Sequence, residues 1–211
     1  VRINEDGTIR IIMQDGINNN KKYAFNSNKN NYTYMYYTNS QAKTQLESWY
    51  DTNIGSKKEY SKYVVTGDYY CEQAKVTWDS RLATAGSTKL TLYNKYTPNF
   101  KCSTDDNNKG IVNANVGLIT YDELVYAGGY YSQKNNNYYL KSVYHSWSMS
   151  PGGYSSYTVV WHVEGNNNGT TGVSVTGVVT TNLMAIRPVI NLNVNTLVTG
   201  SGTSSDPFVV S

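Results

Sequence analysis

The first apolar positions of the chain fall in two short runs, Arg2-Ile3-Asn4 and Ile9-Arg10-Ile11-Ile12-Met13, on either side of Asp6-Gly7. Two β-type runs around an Asp-Gly turn predict a hairpin. Residues 14 to 40 carry Asn-rich, Gly-poor sequence with Tyr32, Tyr34, Tyr36 and Tyr37, a pattern that fits either a surface excursion with one weak strand or a decorated loop. The spacing changes at 41 to 50, where Leu46, Trp49 and Tyr50 stand at i, i+3 and i+4 among good helix formers. That spacing predicts one amphipathic helix, and a short helical turn is expected around Lys57 to Tyr63. Residues 64 to 117 read as irregular, with turn signals at Thr66-Gly67-Asp68, Thr97-Pro98-Asn99 and Asp105-Asp106-Asn107-Asn108. In Leu118 to Gly129, Thr120 and Glu123 make a capping box, Leu124 and Ala127 share a face, and Gly128 is a stop signal, so a helix is expected over about 120 to 127. Beyond it the pattern is β throughout: residues 138–140, 146–151, 157–163, 171–179, 187–192 and 207–210, separated by Gly- and Asn-rich turns. No internal repeat is visible.

These elements predict a single α+β domain over residues 1–211, built from two or more short helices and short antiparallel strands, with the C-terminal strands closing on the N-terminal hairpin. Trp49, Leu124, Trp147, Met149, Val189 and Leu192 are the expected core. Alternation points Trp147 and Met149 to the same inward face, which makes Trp147 a packing residue rather than a stacking platform. No apolar run approaches the ~18 residues that a membrane span needs.

Composition narrows the function classes. Only 16% of residues are charged, and the polarity comes instead from Asn, Ser, Thr and 21 Tyr. A disordered chain has few aromatics and a high net charge, whereas here 13% of residues are aromatic and the net charge is +3. The lysines are scattered singly and form no stripe for a phosphate backbone, which argues against nucleic acid as a partner. Cys71 and Cys102 are the two cysteines. An even pair in so charge-poor a chain suits an exported domain with one disulfide, and two buried thiols in a cytosolic protein are the alternative. Closing a loop of about 30 residues would stabilise the fold by roughly 3 to 4 kcal/mol in the chain-entropy model. No signal peptide opens the sequence, so any membrane attachment is expected through a missing leader or anchor.

Catalytic and metal chemistry find little to work with. Two Cys with His145 and His162 lack the short ligand spacings of structural zinc. No Gly-x-Ser-x-Gly elbow occurs, and the two histidines sit in β-type runs without an evident acidic orienter. Asp105-Asp106 lacks the alternating carboxylates of a calcium loop, and Asp122 and Glu123 are better used at a helix N-terminus. A protein that is not an enzyme, without cofactor or metal, is the expectation.

Five stretches carry a family resemblance: Val1-Arg2-Ile3-Asn4-Glu5-Asp6-Gly7-Thr8-Ile9-Arg10, Gly117-Leu118-Ile119-Thr120-Tyr121-Asp122-Glu123, Trp147-Ser148-Met149-Ser150-Pro151, Ile186-Arg187-Pro188-Val189-Ile190-Asn191-Leu192, and Gly200-Ser201-Gly202-Thr203-Ser204-Ser205-Asp206-Pro207-Phe208. Together they resemble an uncharacterised surface domain of Gram-positive gut bacteria. That domain is similar to the C-type-lectin-like fold shared by formylglycine-generating enzymes and the variable proteins of diversity-generating retroelements. The resemblance implies a C-type-lectin-like fold, an extracellular location on the cell surface, and a disulfide between Cys71 and Cys102. It does not bring the oxidase activity, because no thiol follows Cys102. Where the family places Gly before Arg-Pro, this chain has Ile186.

The stretch from Gly152 to Ala185 is the candidate binding region. Apart from Trp161, Glu164 and Met184, its residues are of types reached by changing the adenines of an Asn codon. Tyr, Ser, Asn and Gly are also the residues of adaptable paratopes. AT-rich codon usage with ordinary β-turns would give the same composition, and both readings stand at this point. The expected contact face comprises Tyr154, Ser155, Ser156, Tyr157, Trp161, His162, Asn166, Asn167 and Asn168, with Val160 and Val163 packing beneath. The function this implies is non-catalytic adhesion or recognition, the partner being an unknown protein or glycan on another cell or phage. A pilus or surface-layer subunit that self-associates is the alternative.

Overall fold

The computed structural model describes residues 2–72, 100, 102, 110–129, 135, 138, 140–154, 157–165, 173–196, 198–201, 203, 205–206 and 209–210. In chain order it contains β1 (Arg2–Ile3), β2 (Ile9–Ile12), β3 (Lys22–Tyr23), two short 3-10 turns (Tyr32–Met35 and Tyr37–Asn39) and α1 (Gln41–Tyr50). A π-helical turn (Asp51–Gly55), α2 (Lys58–Ser61), β4 (Asp68–Cys71), β5 (Ile111–Ala114) and α3 (Tyr121–Tyr126) follow. The remainder is β6 (Ser146–Tyr154), β7 (Thr158–Val163), β8 (Val173–Val178), β9 (Met184–Ala185), β10 (Val189–Leu192), β11 (Val198–Thr199) and β12 (Val209–Val210). The class is therefore mixed α+β, with few short helices, mostly antiparallel strands and one disulfide, Cys71–Cys102.

Both expected helices form, the second with its expected capping box. Ser40 Oγ accepts from Lys43 N at 3.0 Å at the start of α1, which buries Ala42, Leu46 and Tyr50. Thr120 Oγ1 accepts from Glu123 N at 3.2 Å while Glu123 Oε2 accepts from Thr120 N at 3.0 Å, the reciprocal capping box. The turn expected around 57 to 63 is α2. In the 14–40 segment the chain passes through left-handed backbone at Asn18, Asn19 and Asn20, a region Asn tolerates, and then supplies the weak strand β3.

Three expectations are corrected. Trp49 is half-buried at the edge of the core rather than inside it, because Leu46 and Tyr50 take the buried stripe of α1. Tyr138 and Leu140 are not in a strand: Tyr138 N donates to Asn135 O and Lys141 N to Tyr138 O, both at 3.2 Å, and both side chains are buried. The segment 64–117 is not wholly irregular, since β4 and β5 pair antiparallel from Asp68↔Ala114 to Cys71↔Ile111.

β2 lies between β1 and β10, so the N-terminal hairpin is closed by a strand from the far end of the chain, in register Val189↔Ile12 to Leu192↔Ile9. The largest sheet has the order β3-β9-β6-β7-β8, antiparallel except where β6 meets β9. Its central strand is covered on both faces. Trp147 and Met149 point to one side, and Ser146, Ser148 and Ser150, equally buried, point to the other. Two of these serines are hydrogen-bonded: Ser148 Oγ donates to Trp161 O at 2.7 Å, and Ser150 Oγ accepts from Tyr121 N at 2.8 Å, while Ser146 Oγ has no partner among the described residues. Gly117 is required by close approach, since a Cβ there would lie 2.4 Å from the ring of buried Tyr70.

Candidate recognition surface

The β6–β7 hairpin ends at the pair Tyr154↔Thr158. Thr158 is fully buried and clamps this end to the Asn-rich segment before the first 3-10 turn. Its N–H donates to Lys29 O at 3.0 Å, and its hydroxyl lies 2.8 Å from Lys29 O and 2.9 Å from Asn31 O. Val179 N donates to Thr158 O at 3.2 Å, and Asn26 N to Val179 O at 2.9 Å, carrying the tie across to the strand that follows. Asn26 in turn donates from Nδ2 to Asn39 O at 2.9 Å, so the segment cannot swing away independently. On this base Tyr157 stands 44% exposed, with the Lys29 ammonium 5.9 Å from its ring centre. An aromatic with two side-chain torsions on a pinned backbone loses little entropy when a partner covers it.

Of the residues expected on one exposed face, Tyr157 is exposed; Val160 and Val163, expected to pack beneath it, are buried positions of β7 itself. Trp161 and His162 are corrected: they are 4% and 3% exposed. The reason is that β7 is flanked by β6 and β8 and covered on both faces, so strict alternation of inside and outside does not apply. Trp161 packs at 4.4 Å from the Tyr121 ring, and His162 lies 5.7 Å from His145 and 6.3 Å from Trp147. The Tyr154 side chain, Ser155, Ser156, Asn166, Asn167 and Asn168 lie outside the described residues, as do Asp105 and Asp106. Burial, and then the adjacent His145, push the His162 imidazole down to about 4, so it is neutral at ordinary pH. Its Nδ1 has no hydrogen-bond partner among the described residues.

A second concave region, about 250 Å³, opens between the N-terminal hairpin and the Cys71–Cys102 bridge, whose Cα atoms are 5.3 Å apart. At its base Glu123, 1% exposed, accepts from Arg2 Nε at 3.1 Å and forms an ion pair with Arg10. Burial alone would raise the Glu123 carboxyl, but the Arg10 charge, the Thr120 N–H and Arg2 outweigh it and hold the group below its usual value. Arg10 is itself 2% exposed and lies 4.7 Å over the Tyr70 ring. A carboxylate so fully engaged is a structural counter-ion, not a proton donor. This network was not legible in the sequence, because Arg10 and Glu123 are 113 positions apart.

No protein-family model, curated protein or solved structure matches this chain. Its site has to be judged from its own geometry. Among the described residues no three His, Cys, Asp or Glu side chains gather where they could hold a metal ion. No described helix is long and apolar enough to cross a membrane.

Proposed function

We propose that the chain is a non-catalytic, extracellular recognition domain with a C-type-lectin-like arrangement, displayed on a bacterial surface or pilus and binding a protein or glycan of another cell or phage. The observation that carries this reading is the exposed Tyr157 on a hairpin end immobilised by the Thr158 hydrogen bonds. The Cys71–Cys102 bridge supports export, since such bonds persist in oxidising compartments. The buried positions Trp161 and His162 belong to the support, not the contact face. An immobilised array of glycans and bacterial surface proteins, probed with wild type and with Tyr157→Ala, tests the proposal. Capture that Tyr157→Ala abolishes supports it, and capture indifferent to that change overturns it. A reverse-transcriptase gene beside the coding locus, with a near-copy of the segment encoding 152–185, would add that the face is diversified.

A further inference from the structure

Cys71 is the last residue of β4, which pairs with β5 alone in a two-stranded sheet. Cys71 and Cys102 are each half-buried, and neither belongs to the main buried cluster. Both line the depression of about 250 Å³ beside the N-terminal hairpin. The bridge is therefore part of an open wall, where a small thiol can meet it without the fold opening.

Charge decides which thiol is favoured there. Glu5, Asp6, Asp68, Asp122 and Glu123 line the same depression, and its basic residues are Arg2 and Arg10, both held on Glu123. Glu5, Asp6 and Asp68 have no ion pair of their own among the described residues, and Glu5 and Asp6 are exposed. The Thr8 hydroxyl and N–H both donate to Asp6, which holds its carboxyl below the usual value and keeps it ionised. Lys101, next to Cys102 in sequence and outside the described residues, leaves the acids in the majority. A depression of this volume is narrower than the ~10 Å over which charges act at 0.1 M salt, so these groups act together on whatever approaches the bridge.

Thiol–disulfide exchange begins with a thiolate. Its sulfur bonds to one cysteine sulfur as the Cys71–Cys102 bond breaks, and the electron pair leaves on the other sulfur, which takes a proton from water. A second thiolate of the reagent then attacks the reagent's sulfur in the mixed disulfide, releasing the reagent's own disulfide and the second cysteine as a thiolate. The attacking species is already negative at sulfur. Each further negative charge it carries is repelled by the carboxylates, and a positive charge on it is attracted. We propose that the acidic depression makes the Cys71–Cys102 bridge a charge-selective thiol-exchange site, opened more readily by cationic thiols than by anionic ones. The site is separate from the Tyr157 surface and does not depend on it.

Reduction of the intact, folded chain by cysteamine, 2-mercaptoethanol and mercaptoacetate tests the proposal, since their thiolates are net neutral, singly negative and doubly negative. Rates are taken per thiolate and divided by those for a small uncharged disulfide, which removes differences in nucleophilicity. At about 20 mM salt cysteamine should be about 10-fold faster than mercaptoacetate, with 2-mercaptoethanol between them. The spread should close to within about 2-fold at about 1 M salt, where the screening length falls to ~3 Å. Glu5→Gln/Asp6→Asn should narrow the low-salt spread by about 3-fold. Asp51→Asn/Glu59→Gln makes the same charge change at exposed positions on the π-helical turn and α2, and should leave the spread as it is. Equal relative rates at low salt overturn the proposal, as does a spread that survives high salt or responds equally to the two double variants. Rates independent of thiol concentration also overturn it, because the bridge would then be reached only by unfolding.

Discussion

Glu123 serves two arrangements at once: its side chain closes the capping box of α3 and neutralises the buried Arg10. Removing the carboxylate would leave Arg10 uncompensated at 2% exposure, so Glu123→Ala is expected to cost about 3 to 5 kcal/mol, read from urea unfolding. Thr120→Ala removes only the cap to Glu123 N and should cost about 1 kcal/mol in the same measurement. A cost for Glu123→Ala no larger than for Thr120→Ala would show that the Arg10 pair contributes nothing. His162 gives a pH dependence of definite sign. Its folded value of about 4 lies below the ordinary 6.5, so the unfolded chain binds more protons between those limits. Stability from this group is complete above the ordinary value and falls by up to about 3 kcal/mol as pH drops through the window. His162→Gln should flatten that part of the stability profile, and parallel wild-type and variant profiles would refute the assignment.

Among the elements, those with a local signature were legible in advance. The apolar spacing of α1 and the Thr120/Glu123 pair of α3 are contacts within one turn, and the sequence displays them directly. The strand β7 was legible as a strand but not in its burial, because Trp161 and His162 face covering layers from distant parts of the chain. The π-helical turn was invisible, since a shift from i−4 to i−5 hydrogen bonding leaves no mark in residue type. β4 and β5 were hidden by the turn-rich sequence between them; Cys71 ends β4, but its partner Cys102 lies ahead of β5 and so did not mark the pairing. The different positions of two aromatics in this hairpin are measurable. Trp161→Ala should cost about 3 to 5 kcal/mol of stability, and Tyr157→Ala should stay within about 0.5 kcal/mol of wild type. Equal costs would mean that Tyr157 is part of the packing. Reduction of Cys71–Cys102 releases a separation of 31 residues and should lower the melting temperature markedly, by roughly 3 to 4 kcal/mol of stability.

At the scale of the whole molecule, one buried cluster runs from Ile17 to Leu192 and draws on α1, α3 and nearly every sheet. Residues 2–12 contribute a hairpin that is covered only when β10 arrives. A two-stranded hairpin is marginal by itself in water, so the pairing Val189↔Ile12 to Leu192↔Ile9 governs when the hairpin becomes permanent. That pairing has to close a loop of most of the chain before it returns any contact energy, and folds dominated by such pairings form in milliseconds to seconds rather than microseconds. During synthesis the second strand, β2, therefore waits with one edge unpaired until the residues near 190 have emerged. A chain with this wiring stays open long enough to be handled as an unfolded thread, and its two cysteines can meet an oxidant before the core shuts around them.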